Sequence, residues 1–219
     1  MDNYSYDYGW WGVVAFSVLF FGLFVLSFLA PRRKVEWRSF GAFTAFIVAL
    51  FSEMFGFPLT IYLLTSLFRY RLPVTNPFSH LSGHLLGTLL GAPDWLKLVI
   101  CQVGSGLMLV ALVIVGIGWK HIYRARGNLV TTGLYRYVRH PQYGGLILLT
   151  VGMLIQWPTL ITLLMWPILA TAYFRLARRE ERELEERFGE EYLEYKASTP
   201  AFFPALTKPR VQSRLAEEK

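Results

Sequence analysis

Residues 10–30, from Trp10 through Ala30, carry no charged side chain. At 1.5 Å per residue, a helix over this run covers the roughly 30 Å hydrocarbon core of a bilayer. In lipid every backbone polar group needs an internal partner, so this run restricts the chain to helices there. Asp2 and Asp7 are the only charged residues before it, and no basic segment precedes it. The run therefore reads as a retained span, not a signal peptide. Pro31-Arg32-Arg33-Lys34 follows, with Arg38 close behind. By the positive-inside tendency this predicts a cytoplasmic loop and an outside N-terminus.

Four further apolar stretches follow the same logic. The second runs from about Phe40 to Leu67, interrupted by Glu53, Gly56 and Pro58. Pro58 is expected to kink it, and Glu53 to face protein or a wet cavity. A mixed segment, 69–97, holds Arg69, Arg71, His80, His84, Asp94 and Lys97 and cannot span by itself. A third span, about Leu98 to Trp119, contains Gly104, Gly106, Gly116 and Gly118, which permit close helix approach. It ends in Lys120, His121, Arg124 and Arg126, another cytoplasmic signature. Tyr143 to Gln156 and Thr159 to Phe174 are both short for a straight span and flank Trp157-Pro158, so they predict a helical hairpin.

These readings give an all-α integral membrane bundle of about five transmembrane helices, the last two forming a short hairpin. Arg175, Arg178 and Arg179 after the last helix agree with a cytoplasmic C-terminus. A charged amphipathic helix is expected from about Leu176 to Tyr195, with Leu184, Phe188, Tyr192 and Tyr195 on one stripe and Gly189 marking a break. Glu183 and Arg187 are spaced as an i,i+4 pair. Three segments are expected: 1–97 shaping the substrate pocket, 98–206 as the core with the site, and 207–219 as a loose tail. The net charge of +7 arises upstream of residue 175 in short clusters beside apolar runs, a topology signal and not a nucleic-acid patch. Cys101 is the one cysteine, which excludes an internal disulfide and a multi-cysteine metal site.

Two polar segments flank the hairpin and so share a membrane face. One is Gly133-Leu-Tyr135-Arg-Tyr-Val-Arg139-His140-Pro141-Gln-Tyr143; the other is Glu180-Glu181, continuing to Phe188-Gly189-Glu-Glu-Tyr192-Leu-Glu-Tyr195. Arg139 and His140 fall where chain emerging from lipid meets water, beside a greasy cavity. This arrangement resembles the isoprenylcysteine carboxyl methyltransferases and the wider group of small membrane methyltransferases that includes phospholipid N-methyltransferases. The resemblance covers roughly residues 98–206.

It implies an S-adenosylmethionine site at the cytoplasmic helix ends and a lipophilic or prenylated substrate arriving from the bilayer. On that reading Tyr135, Arg139, His140, Pro141, Tyr143, Gly144, Phe188 and Tyr192 are the cofactor-binding candidates. Arg139 or a protonated His140 suits the cofactor carboxylate, and Tyr135, Tyr143, Phe188 or Tyr192 suits the sulfonium. Pro141 suits a helix start, and Gly144 with Gly145 allows close backbone approach. Glu181 is the candidate proton acceptor for an amine or thiol, and Arg187 the candidate for orienting an anionic substrate group.

The methyl acceptor itself is not legible: an isoprenylcysteine-type carboxylate is preferred over a phospholipid amine or a small thiol. Two other classes stand beside the methyltransferase. One is an NADPH-dependent reductase of the sterol C14 type; the other is a non-catalytic lipid-binding protein, supported by Glu53 alone. His80 and His84, four apart, suggest a metal pair only if a third ligand joins them; two interfacial histidines is the plainer reading.

Overall fold

The computed structural model describes residues 7–29, 34–68, 76 and 79–204. Residues 30–33, Arg69, Arg71 and the residues from 205 onward lie outside the described residues, so the expectations on them are not addressed by it. Among the described residues there is helix and no strand. The chain divides into two compact units, 1–108 with 150–172, and 109–149 with 173–219. Among the described residues three stretches are long and apolar enough to cross a membrane: Arg38–Gly56, Asp94–Ala125 and Leu160–Phe188. In the second only 17% of the most apolar window is buried, so its hydrocarbon faces outward. The protein is an integral membrane protein with lipid as the solvent of these faces.

In the first unit, α1 (Trp11–Leu29) and α2 (Lys34–Phe51) pack together, and Val25, Phe43, Phe46 and Ile47 are fully buried. The second apolar stretch does not continue as one helix. It passes through a π-turn, Ser52–Gly56, and restarts as α3 (Leu59–Phe68). Pro58 accounts for this: it lacks an N–H and forces Phe57 into an extended conformation, φ −131° and ψ 121°. Glu53 faces protein, as expected. Its Oε2 accepts the N–H of Thr60 at 2.8 Å, capping the first turn of α3. The π-turn also receives the residues that lead into α1, since Gly9 and Trp10 donate backbone bonds to the Phe55 carbonyl.

His80 lies on a short 3-10 turn, His80–Gly83, and His84 precedes α4 (Leu85–Leu89). Their rings meet edge to face at 5.9 Å, and both pack on Trp157, at 4.5 and 5.1 Å. His84 Nδ1 lies 2.9 Å from the carbonyl of Gln156. Burial pushes both imidazoles below the usual histidine range. No group of three metal-ligating side chains occurs among the described residues.

The hairpin is present: α6 (Pro141–Gln156) turns through Trp157–Thr159 into α7 (Leu160–Phe188). Thr159 and Thr162, both fully buried, cap each other reciprocally. Thr162 N–H donates to Thr159 Oγ1 at 3.1 Å, and Thr159 N–H donates to Thr162 Oγ1 at 3.2 Å. Within the first unit Trp166 Nε1 donates to Thr150 Oγ1 at 3.1 Å, tying the two arms. α5 (Asp94–Ala125) packs on α6 through glycine at Gly104 and Gly152, whereas nothing lies within 4 Å of a side chain at Gly106 or Gly116.

In the second unit one boundary differs from expectation. No separate amphipathic helix starts near Leu176; α7 runs unbroken to Phe188, 29 residues in all. The change at 176 is one of solvent, from lipid to water, and leaves the backbone untouched. The break falls at Gly189, φ 53° and ψ −126°, a conformation that a side chain would strain, and α8 (Glu190–Ser198) follows. Glu183 pairs with Arg179 one turn back, at 3.3 Å.

A side chain at Gly152 would meet the Gly104 carbonyl at 2.8 Å and Met108 Cγ at 2.9 Å. Gly152→Val is therefore expected to destabilise by about 1–3 kcal/mol through overpacking. Gly106→Ala should stay within about 0.5 kcal/mol. Thermal unfolding of both variants in one detergent checks the contrast.

Candidate functional site

The site is built wholly within the second unit, where the start of α6, the polar end of α7 and α8 come together. α6 begins at Pro141, whose missing N–H costs nothing at a first helical position. The chain before it is fixed by two backbone bonds, Arg139 N–H to Pro200 O at 2.9 Å and His140 N–H to Ala201 O at 3.0 Å. A strap of residues after α8 thus pins the two residues in front of Pro141, and the N–H groups of Arg139 and His140 are occupied by it.

Glu181 is the junction. Its Oε1 accepts Arg139 Nε at 3.0 Å and Arg139 Nη2 at 2.6 Å, and lies 3.0 Å from His140 Nε2. Its Oε2 lies 3.3 Å from Lys196 Nζ. Arg139 and Glu181 are nearly buried, with side-chain exposures of 11% and 12%. Arg139 Nη1 also donates to the carbonyls of Lys196 and Thr199 at the end of α8. Arg139 is therefore engaged on every side by this chain.

His140 is 1% exposed. Burial pushes its imidazole below the usual histidine range, against the opposing pull of Glu181. A neutral ring that donates Nε2–H to Glu181 leaves Nδ1 as an acceptor. Nδ1 has no hydrogen bond among the described residues and lies 3.8 Å from Glu180 Oε2. The Phe202 ring packs on the imidazole at 5.6 Å, and Tyr143 lies at 5.9 Å.

Beside this cluster is a cavity of about 170 Å³, walled by Tyr135, Phe188, Tyr192 and Tyr195 and edged by Arg139, Glu180 and Arg187. Leu184, Phe188, Tyr192 and Tyr195, the expected stripe, straddle the break at Gly189 and still face this one cavity. The Tyr192 hydroxyl has no hydrogen bond among the described residues, and burial pushes it up to about 12. Arg187 is exposed, stacked over Phe188 at 5.1 Å, and forms no ion pair with another described residue. It lies against Gly127, φ 95°, where a side chain would come within 3.0 Å of its Nη2.

Of the candidates, Tyr135, Arg139, Arg187, Phe188 and Tyr192 face the cavity. His140 and Glu181 stand behind it, joined through Arg139. Tyr143 stacks on Tyr173 at 6.2 Å, and nothing lies within 4 Å of a side chain at Gly144. Gly145 serves α5, since a side chain there would meet the Ala111 carbonyl at 3.2 Å. Sequence reasoning missed Lys196, the strap and Gln142, whose Oε1 accepts the Tyr135 hydroxyl. Gln142 lay in view between Pro141 and Tyr143 in the polar run.

Residues 95–186 match the model of the isoprenylcysteine carboxyl methyltransferase family. The chain is similar to the rat protein-S-isoprenylcysteine O-methyltransferase, 31% identical over 114 residues, covering 49% of this chain and 40% of the rat protein. It is similar to protein-S-isoprenylcysteine O-methyltransferase B of Arabidopsis thaliana, 30% identical over 108 residues, 46% of this chain and 54% of that one. It is also similar to the cobalt-zinc-cadmium resistance protein CzcN of Cupriavidus metallidurans, 36% identical over 112 residues, 49% of this chain and 51% of that one. The chain spans about half the length of the curated relatives it matches. The family segment holds Arg139, His140 and Glu181, while the aromatic wall from Phe188 to Tyr195 follows it.

The lowered His140 fixes the sign of a pH effect. The unfolded chain binds protons at this residue near pH 6.5 and the folded chain resists them, so stability is full above about pH 6.5 and falls as pH drops below it. His80 and His84 act in the same direction. Unfolding temperatures measured from pH 7.5 down to 5 should therefore fall, and His140→Asn should fall less steeply than the parent.

Proposed function

We propose that this protein is an S-adenosylmethionine-dependent methyltransferase of the membrane, acting on a lipophilic acceptor, an isoprenylcysteine-type carboxylate by preference. The observation that carries the reading is the cavity of aromatic faces with a carboxylate and an available guanidinium at its edge, beside the Arg139–His140–Glu181 cluster. The family match over residues 95–186 and the names of the relatives support it.

The residues suit the cofactor. Bound S-adenosylmethionine supplies an electrophilic methyl group on a sulfonium. Tyr135, Phe188, Tyr192 and Tyr195 present the aromatic faces that attract such a soft cation. Glu180 adds a negative charge at the edge. The Tyr192 hydroxyl, left without a hydrogen bond at a cost of about 1–3 kcal/mol, gains a partner when a ligand enters. Arg187 takes the carboxylate role expected of Arg139, because Arg139 is already engaged by Glu181 and α8. At about 170 Å³ the cavity is below the roughly 300–1,000 Å³ of small-molecule sites. Arg187, exposed at the rim, is placed to swing.

An acceptor carboxylate attacks with its own lone pair and releases no proton. The new O–C bond forms as the C–S bond breaks, and alignment with exclusion of water is the protein's main task. Glu181, clamped by Arg139 and Lys196, is held as an anion and suits this holding role better than proton removal. The site is read as cytoplasmic and the N-terminus as outside, on the basic clusters that follow the spans.

Titration of detergent-solubilised protein should give saturable binding of S-adenosylmethionine and none of NADPH. Arg187→Gln should weaken the former about tenfold or more at unchanged unfolding temperature, the loss of one charge-assisted contact. Incubation with isotopically labelled donor and prenylated peptide, read by mass spectrometry, should give a methyl ester. Tight NADPH binding with no response to the methyl donor would end the reading.

A further inference from the structure

Lys196 stands on α8, beyond the matched family segment, and reaches back to α7. Its ammonium is hydrogen-bonded to Glu185 Oε1 and lies 3.3 Å from Glu181 Oε2. The Glu185 bond holds the ammonium protonated above its ordinary range. The two oxygens of Glu181 are thus divided: Oε2 belongs to Lys196, and Oε1 to Arg139 and His140. The groups around that carboxylate are Arg139 and His140 from the segment before α6, Lys196 and Tyr192 from α8, and Glu180 and Glu185 from its own helix.

This division has a chemical consequence for His140. A carboxylate anchored at Oε2 cannot rotate, so Oε1 stays aimed at His140 Nε2. An ionised Oε1 selects the tautomer with the proton on Nε2, and Nδ1 then carries the lone pair. Without the ammonium, Oε2 loses its donor in a site where Glu181 is 12% exposed. Glu181 would then turn, or take a proton, and His140 would be freed to protonate. Lys196 and Arg139 also act directly against a positive charge on His140.

We propose that Lys196 is a positioning residue of the methyl-transfer site, anchoring Oε2 of Glu181 so that Oε1 holds His140 as the neutral Nε2–H tautomer. Its part in the reaction rests on the function proposed above; its effect on His140 does not. Lys196 does not line the cavity; it acts on the His140 tautomer through Glu181, and its charge adds directly to the cost of protonating the ring.

The test is nitrogen NMR of protein labelled in its histidine rings, in detergent micelles, with His140→Gln used to assign the signal. In the parent His140 should show one Nε2–H tautomer and titrate below the usual histidine range. In Lys196→Met its titration should move up by about half a unit or more and the single-tautomer pattern should be lost. Lys196→Arg, which keeps the cation, should restore both. In parallel, S-adenosylmethionine affinity at pH 6 should fall about tenfold in Lys196→Met and not in Lys196→Arg. Unchanged His140 signals in Lys196→Met, or a change that Lys196→Arg does not reverse, overturns the positioning role. Parent protein that keeps the His140 pattern yet binds no methyl donor overturns the functional reading, and with it any part of Lys196 in methyl transfer.

Discussion

One carboxylate organises the second unit. Glu181 meets Arg139 and His140 on one oxygen and pairs with Lys196 on the other, so three pieces of chain that share no local sequence relation are held to one point. Such a pair, once away from water, tolerates the loss of neither member, because the survivor is a buried charge without compensation. Its net contribution to stability is modest, but its contribution to geometry is large. It sets where the chain must be when α6 begins, and how α8 must fold back after Gly189.

The apolar chemistry is arranged around that point. His140 is wrapped by Phe202 and Tyr143, and Tyr143 in turn stacks on Tyr173, so the polar cluster is backed by rings and not by water. On the other side, four aromatic residues wall the cavity. The low dielectric this creates strengthens each charged contact and keeps the imidazole neutral. A single continuous helix, α7, carries both the apolar stretch and Glu180, Glu181 and Arg187, so a site in water is mounted on a rod in lipid.

Much of this was legible from residue types alone. Uncharged runs fix helices in a bilayer, Pro58 and Trp157-Pro158 mark where they stop, and Arg139-His140-Pro141 is a rare grouping beside hydrocarbon. Gly189 was readable as a break because only its backbone freedom suits the bend. The continuity of α7 through Leu176 was not readable, since a change from apolar to charged residues reports the surroundings and not the backbone. The hold on Arg139 and His140 was hidden for a different reason. Thr199, Pro200 and Ala201 contribute carbonyls, which every residue has, so no side chain signals the contact. The engagement of Arg139 by its own chain follows from that hidden contact.

The strap after α8 bears on what the family match means. The match spans residues 95–186, yet the backbone amides of Arg139 and His140 within it find their acceptors at positions 200 and 201. Excised at its homology borders, the segment would keep its signature residues and lose the carbonyls that orient them. Likeness and foldability therefore have different boundaries in this chain, and the working one lies farther toward the C-terminus.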